Sequence, residues 1–364
     1  MIGGGLLAAG TAGAAAFGFS GTGSMRDYAA AVAAERAALA DHPQLVDLVR
    51  YATLAASGHN TQPWRFQLAP RRVAILPDFA RRTPVVDPDD HHLFVSLGCA
   101  AENLALAAAA RGQRGEPRFE PGGTGAVAFE FDAAPPERSA LFDAIPKRQS
   151  TRADYDGRPV PAADLATLAA AARTPGVDLV LLTDRPHIER VLDLVLAGNS
   201  AQMADPAFLR ELKHWLRFNP RQALEHGDGL FSPASGNPAA PAWLGGALFD
   251  LAFRVSSEND KYARQLRSSA GIAIFVSERA DRDHWVRAGR ACQRFALQAT
   301  ALGLKHAFVN QPVEVAALRP ELAALVGLPG RRPDLVMRFG YGPAMPFSPR
   351  RPAAAVTARG TAMV

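Results

Sequence analysis

Residues 96–112 read SLGCAAENLALAAAARG, and residues 287–303 read RAGRACQRFALQATALG. The two stretches superpose without a gap. Gly98 meets Gly289, Leu104 meets Phe295, Leu106 meets Leu297, Ala108 meets Ala299 and Gly112 meets Gly303. Upstream, Asp90, Phe94 and Val95 meet Asp281, Trp285 and Val286. Small and apolar residues recur at helical spacing in both, predicting long core helices over 93–110 and 283–302. A strand-like run precedes each, RVAILPD (72–78) in one case and GIAIFVSE (271–278) in the other, followed by an acidic loop. This repetition predicts an α+β fold of two similar halves, with mixed or antiparallel sheets, pairing across their long helices like a dimer joined into one chain.

The chain of 364 residues is 48% hydrophobic and 21% charged, a composition that folds rather than stays disordered. Forty Lys and Arg against thirty-five Asp and Glu give a net charge of +5, spread along the chain. Without a dense basic block interleaved with aromatics, nucleic acid is excluded as a partner, whereas a phosphorylated small molecule suits a basic chain. Cys99 and Cys292 lack metal or redox spacing and give no disulfide framework. His91 and His92 are adjacent while His42 and His59 are isolated, so they read as surface or locally bonded side chains rather than metal ligands. Phosphate-loop, dinucleotide-loop, serine-hydrolase and zinc-protease signatures do not occur in the sequence.

Residues 1–23 form a Gly/Ala-rich apolar segment, read as an export signal lacking its usual basic start. The protein is cytoplasmic if Met1 is the true start, and exported if an arginine-containing signal lies upstream. No later run reaches the roughly eighteen apolar residues of a membrane span. Residues 24–135 and 136–352 are expected to be the two halves, with 353–364 a flexible tail. The first helix is expected over 24–40, and a second from Pro43 with Asp41 near its cap. Residues 216–245 look irregular and are expected to be a lid-like insert, its Trp215, Phe218, Leu230, Phe231 and Trp243 favouring packing.

Two short motifs carry chemistry. In KRQSTR (147–152), Arg148, Ser150 and Arg152 alternate, so an extended backbone turns two guanidinium forks and a hydroxyl to one side. That donor set suits a phosphate. Arg350 and Arg351, in FSPRRP after the last predicted strand, are a second pair suited to the same anion. In SGHNTQPWRF (57–66), Asn60 and Gln62 each offer donor and acceptor, suited to a heterocycle edge or a polyhydroxyl chain.

SGHNTQPWRF resembles a segment of the nitroreductase superfamily, FMN-dependent enzymes, and KRQSTRADYD (147–156) resembles its phosphate-binding segment. In ordinary members the motifs occur in the reverse order and the site is built across a homodimer. Here each half retains one of them, an arrangement that resembles the Acg-like branch known from mycobacteria: a fused pseudo-dimer keeping one flavin site. The resemblance, over roughly residues 40–352, implies FMN held by Arg148, Ser150, Arg152 and Arg350 or Arg351 at its phosphate and ribityl chain. Ser57 and Asn60 would reach the flavin from the other half, and the turn Val309-Asn310-Gln311 would meet its N5 edge. It implies NADH or NADPH as reductant, a small conjugated electron acceptor, a monomer and no catalytic acid–base side chain. Departures from the family, Ala56-Ser57-Gly58 and the 216–245 insert, keep open an FMN-binding or FMN-sequestering protein with little turnover.

Overall fold

A computed structural model describes residues 21–359. The apolar segment read as an export signal lies, up to residue 20, outside the described residues, as does the tail from 360 onward. Around the site the chain is arranged by two long helices, His91–Ala109 and Arg282–Ala301. They cross at their matched glycines. A Cβ on Gly98 would stand 2.0 Å from the Val286 carbonyl oxygen, and one on Gly289 would stand 2.0 Å from that of Val95. The close approach is therefore reciprocal and available to glycine alone. Beside the crossing, buried Glu102 accepts from Arg290 and Arg294 of the facing helix, at 2.8 Å each.

The sheets repeat the same plan. In the first half β1 (Trp64–Ala69), β2 (Arg72–Pro77), β3 (Gln113–Glu120) and β4 (Ala126–Ala133) pair antiparallel in the order β1-β2-β4-β3. The second half carries β5 (Val177–Leu182), a short pair formed by β6 (Leu216–Arg217) and β7 (Leu230–Phe231), then β8 (Gly271–Ser277), β9 (Lys305–Phe308) and β10 (Pro333–Gly340). Its main sheet runs β5-β8-β10-β9, again antiparallel. In both halves the long helix is inserted between the second and third strands of the main sheet. The fold is thus the expected α+β arrangement of two similar halves. The helix His91–Ala109 has the length and apolarity of a membrane span, but 83% of its apolar window is buried inside the fold, where Arg282–Ala301 packs on it. β8 and β10 are buried along their whole length between helices.

Several local expectations change. The first helix is Met25–Glu35, not 24–40, because Arg50 takes the carbonyls of Glu35 and Ala37 and the Tyr51 hydroxyl takes the N–H of Leu39. The second starts at Leu45, with Gln44 and Asp47 forming a capping box. Residues 216–245 are not structureless: β6, the helix Pro220–His226, β7, a 3-10 turn and the start of the helix Ala242–Ala252 fill them. Asn219, Pro220 and Gly227 are ordinary start and stop signals for the helix between them. Trp243, expected to pack, is 70% exposed. The tail is ordered as far as residue 359: Ala353–Val356 is helical and β11 (Thr357–Arg359) pairs parallel with β1 in the first-half sheet.

Candidate functional site

The loop 57–62 joins the helix Leu45–Thr53 to β1 at the boundary between the halves. His59, Asn60 and Gln62 all have positive φ, at 45°, 53° and 54°. Three such non-glycine residues in one loop store strain, which persists only where surrounding bonds hold it. Those bonds are present. Asn60 Nδ2 donates to the carbonyls of Gly229 (3.0 Å) and Pro349 (3.1 Å), and its Oδ1 accepts from Arg350 Nη1 at 2.9 Å. The Gly229 N–H returns to the Asn60 carbonyl at 3.1 Å. Arg81 pairs with Asp228 and donates to the Thr61 carbonyl, which fastens residues 227–230 to the strained loop, while Arg217 pairs with the same Asp228 from β6.

Next to this loop lie two adjoining chambers. The larger, about 190 Å³, is walled by Ser57, His59, His92 and Ser96 from the first half, and by Arg152, Phe308, Asn310 and Gln311 from the second. The smaller, about 50 Å³, is lined by Arg36, Ser57, Asn60, Arg148, Ser150, Arg152 and Arg350. Ala56, Ser57, Arg152, Leu230 and Phe308 border both. The two motifs, about ninety positions apart in sequence, therefore face one cavity.

The smaller chamber is dense with cations. Arg148 spends one Nη2 bond on the Leu54 carbonyl at 3.0 Å, and its buried Nε and Nη1 have no partner. Arg36 likewise buries Nε and Nη1 without partners. Arg152 forms no side-chain hydrogen bond or ion pair among the described residues, and the Ser150 hydroxyl is also free. Burial pushes the Arg148 and Arg152 guanidinium pKa values down, and burial followed by the Arg148 charge takes Arg36 down to about 10. Glu35 is the acidic neighbour acting on Arg36 and Arg350. Unpaired buried donors around a small hollow are costly unless an anion completes them.

Not every expected residue sits as the motifs implied. Arg350 lines the chamber, but all of its N–H groups go to the carbonyls of Thr53, Leu54, Ala55 and Pro349 and to Asn60 Oδ1. It is a clamp on the end of a helix, contributing charge without a spare donor. Arg351 is not in the cavity: its N–H donates to Gln62 Oε1 at 2.9 Å and its guanidinium lies 3.9 Å from Asp78. Val309 is also outside, its side chain in the second-half core and its N–H on the Val336 carbonyl at 2.9 Å. Asn310 and Gln311 do face the larger chamber, and their backbone N–H groups have no acceptor among the described residues. Asn60 holds the loop, while the Ser57 Oγ accepts from the Gln62 N–H at 3.1 Å and keeps its own proton available.

Arg36 and His59 were missed as wall residues. Arg36 lies ahead of both motifs, just past the end of the helix Met25–Glu35, and no spacing marks it. His91 and His92, expected to be surface or locally bonded, are both buried: His91 is bonded to Asp334 at 2.9 Å, and His92 lines the larger chamber. No cluster of three metal-ligating side chains occurs among the described residues.

The nitroreductase family model matches residues 145–342, more than half of the chain. This chain belongs to the nitroreductase family. Among proteins similar to it, Mycobacterium tuberculosis Rv3131, which carries an NAD(P)H nitroreductase name, is 30% identical over 311 residues, covering 82% of this chain and 87% of its own. The acg protein of the same organism, similarly named, is 24% identical over 318 residues, covering 84% and 92%. Among solved structures, the FMN-dependent nitroreductase NfnB from Mycobacterium smegmatis in complex with NADPH matches with a TM-score of 0.37 at 12% identity, over 56% of this chain and 87% of that one. A nitroreductase with bound FMN from Desulfitobacterium hafniense matches with a TM-score of 0.37 at 15% identity, over 59% and 94%. The matched family region begins three residues before Arg148 and takes in every second-half wall residue of the larger chamber named above.

Proposed function

We propose that the cavity holds FMN and that the protein is an FMN-dependent oxidoreductase of the Acg-like branch. The observation that carries the reading is the set of unpartnered guanidinium donors on Arg148, Arg36 and Arg152 around the 50 Å³ chamber. They fit a phosphate, which accepts charge-assisted bonds from several forks at once. Ser150 and Ser57 offer free hydroxyl protons to the sugar-alcohol chain. The larger chamber takes the ring system, with the unused N–H groups of Asn310 and Gln311 at its edge. Bound there, FMN would supply hydride and electron transfer between NADH or NADPH and a nitroaromatic, quinone or related conjugated acceptor. The protein contributes binding charge, oriented amides and a wall that keeps out water.

A second reading has its own observation. Leu230 borders both chambers, and the segment carrying it is bolted to the 57–62 loop by Asn60, Gln62 and the Arg81–Asp228 pair. A segment held that firmly over the cavity favours a protein that sequesters FMN with little turnover. Anaerobic mixing of the yellow holoprotein with NADH or NADPH separates the two. Bleaching of the flavin absorbance within seconds supports the oxidoreductase, and a protein that stays yellow supports sequestration. Replacing Arg148 and Arg152 together with alanine is expected to yield colourless protein, and retained FMN would refute the phosphate assignment.

A further inference from the structure

The larger chamber also meets a carboxyl group for which holding the cofactor has no use. Glu314 closes the short helix Gln311–Glu314, which starts at the two free amides, and lines the 190 Å³ cavity. Its Oε2 accepts from Gln202 Nε2 at 2.6 Å, and its Oε1 lies 3.7 Å from His92 Nε2, too far for a hydrogen bond. The other ionisable groups around it are Asp87 ahead of the first long helix, Glu211 on Pro206–His214 and the phenol of Tyr262 on Val255–Arg267. No Arg or Lys forms an ion pair with it among the described residues.

A carboxylate with acidic neighbours and no cation holds its proton. Burial first, then the charges of Asp87 and Glu211, against the Gln202 bond, push the Glu314 carboxyl up to about 7. Burial holds the His92 imidazole well below its usual value, so at neutral pH the local proton belongs to Glu314. With Gln202 donating to Oε2, that proton sits on Oε1, the oxygen on the His92 side.

We propose that Glu314 is the general acid of the site, giving its Oε1 proton to the carbonyl oxygen of a quinone-type acceptor. This rests on the oxidoreductase reading. The quinone takes up two electrons as a hydride equivalent that originates from a nicotinamide dinucleotide. The electron pair displaced onto its second oxygen forms a new O–H bond as the Glu314 O–H bond breaks. The products are a hydroquinone and the Glu314 carboxylate, which regains its proton from water at the cavity mouth. Placing the acid in the wall lets an enclosed acceptor be protonated without bulk solvent.

The test uses holoprotein reduced anaerobically with dithionite, so it does not depend on the nicotinamide step. Reoxidation by 1,4-benzoquinone, which needs protons, is compared with reoxidation by ferricyanide, which does not. In the native protein the ratio of the two rate constants should fall about tenfold per pH unit above pH 7. In Glu314→Gln the ratio should be about a hundredfold lower at pH 6 and flat with pH, with the limb partly restored in Glu314→Asp. Difference infrared spectroscopy of the flavin-free protein should show a carboxylic acid band titrating near pH 7 that Glu314→Gln removes. An unchanged pH limb in Glu314→Gln, or a Glu314 band titrating in the ordinary carboxylate range, overturns this assignment alone. Should Glu314→Gln fail to fold, a Glu314→Asp limb identical to the native one overturns it equally. A protein that binds no flavin overturns this proposal together with the cofactor reading.

Discussion

Gln62 Nε2 donates to the carbonyl oxygen of Gly227 at 2.8 Å, while its Oε1 accepts from the N–H of Arg351 at 2.9 Å. One fully buried amide thus joins the strained loop, the segment beneath Leu230 and the C-terminal strap. Gln62→Ala leaves a carbonyl and an N–H without partners and should cost about 2–4 kcal/mol in denaturant unfolding. Amide hydrogen exchange should rise first at 227–231. Uniform exchange across the chain would show that the segment is held by other means.

The helix crossing admits no side chain. Gly98→Ala or Gly289→Ala places a methyl group against a carbonyl oxygen of the facing helix, and relief requires the backbones to separate. Either change should destabilise by about 3 kcal/mol or more, read as a lowered midpoint in urea. Because the cavity straddles the boundary between the halves, flavin retention should fall with it.

Arg36 and Arg350 should separate binding from stability. Arg36 has free buried donors and lays its guanidinium over the Phe347 ring, so Arg36→Ala should weaken FMN retention about tenfold or more and lower the unfolding midpoint less than Arg350→Ala does. Arg350 has its donors committed to carbonyls at the end of Leu45–Thr53, so Arg350→Ala should lower stability by about 3 kcal/mol even without flavin. Equilibrium dialysis and urea titration of the same two variants check both halves of this expectation.

Stability of the flavin-free protein should peak near pH 6–7. The Glu314 carboxyl is raised to about 7, so its contribution is present below the usual carboxylate pKa and is lost as pH rises toward 7. Burial lowers His59 to about 4 and His306 to about 3, and the positive charges of Arg152 and Arg148 add to these shifts respectively. Their contributions are present above the ordinary histidine pKa and are lost as pH falls toward those values. Each group adds at most about 1.4 kcal/mol per pH unit within its window. Glu314→Gln should steepen the rise of a melting-temperature profile up to about pH 7, because it removes a contribution lost over that range, and His306→Phe should flatten the acid side.

The long helices and the repeated plan were legible because a core crossing leaves glycine and alanine at fixed helical spacing, as at Gly98 and Gly289. KRQSTR was legible because alternating charges in an extended run have few structural uses. Arg36 was not, since its role comes from tertiary placement beside Arg148 and leaves no local pattern. β3 was missed because QRGEPRFE carries Gly115 and Pro117 and little apolar alternation; its pairing with β4 supplies what local propensity lacks. The helix Pro220–His226 was hidden by its shortness, although Asn219 and Gly227 mark both ends. Glu314 was invisible for a different reason: an acidic residue on a short helix reads as surface until Gln202 and His92 close over it.

The parallel pairing of β11 with β1 sets an order of events during synthesis. β1 borders β2 on one side, and among the described residues its other edge is covered only by residues 357–359. Until the ribosome has released those residues, the first-half sheet presents a bare edge with free backbone donors and acceptors, the kind that recruits other strands. The earliest-made half is therefore the last to be sealed, and nascent chains stalled short of residue 357 should be the aggregation-prone species of this protein.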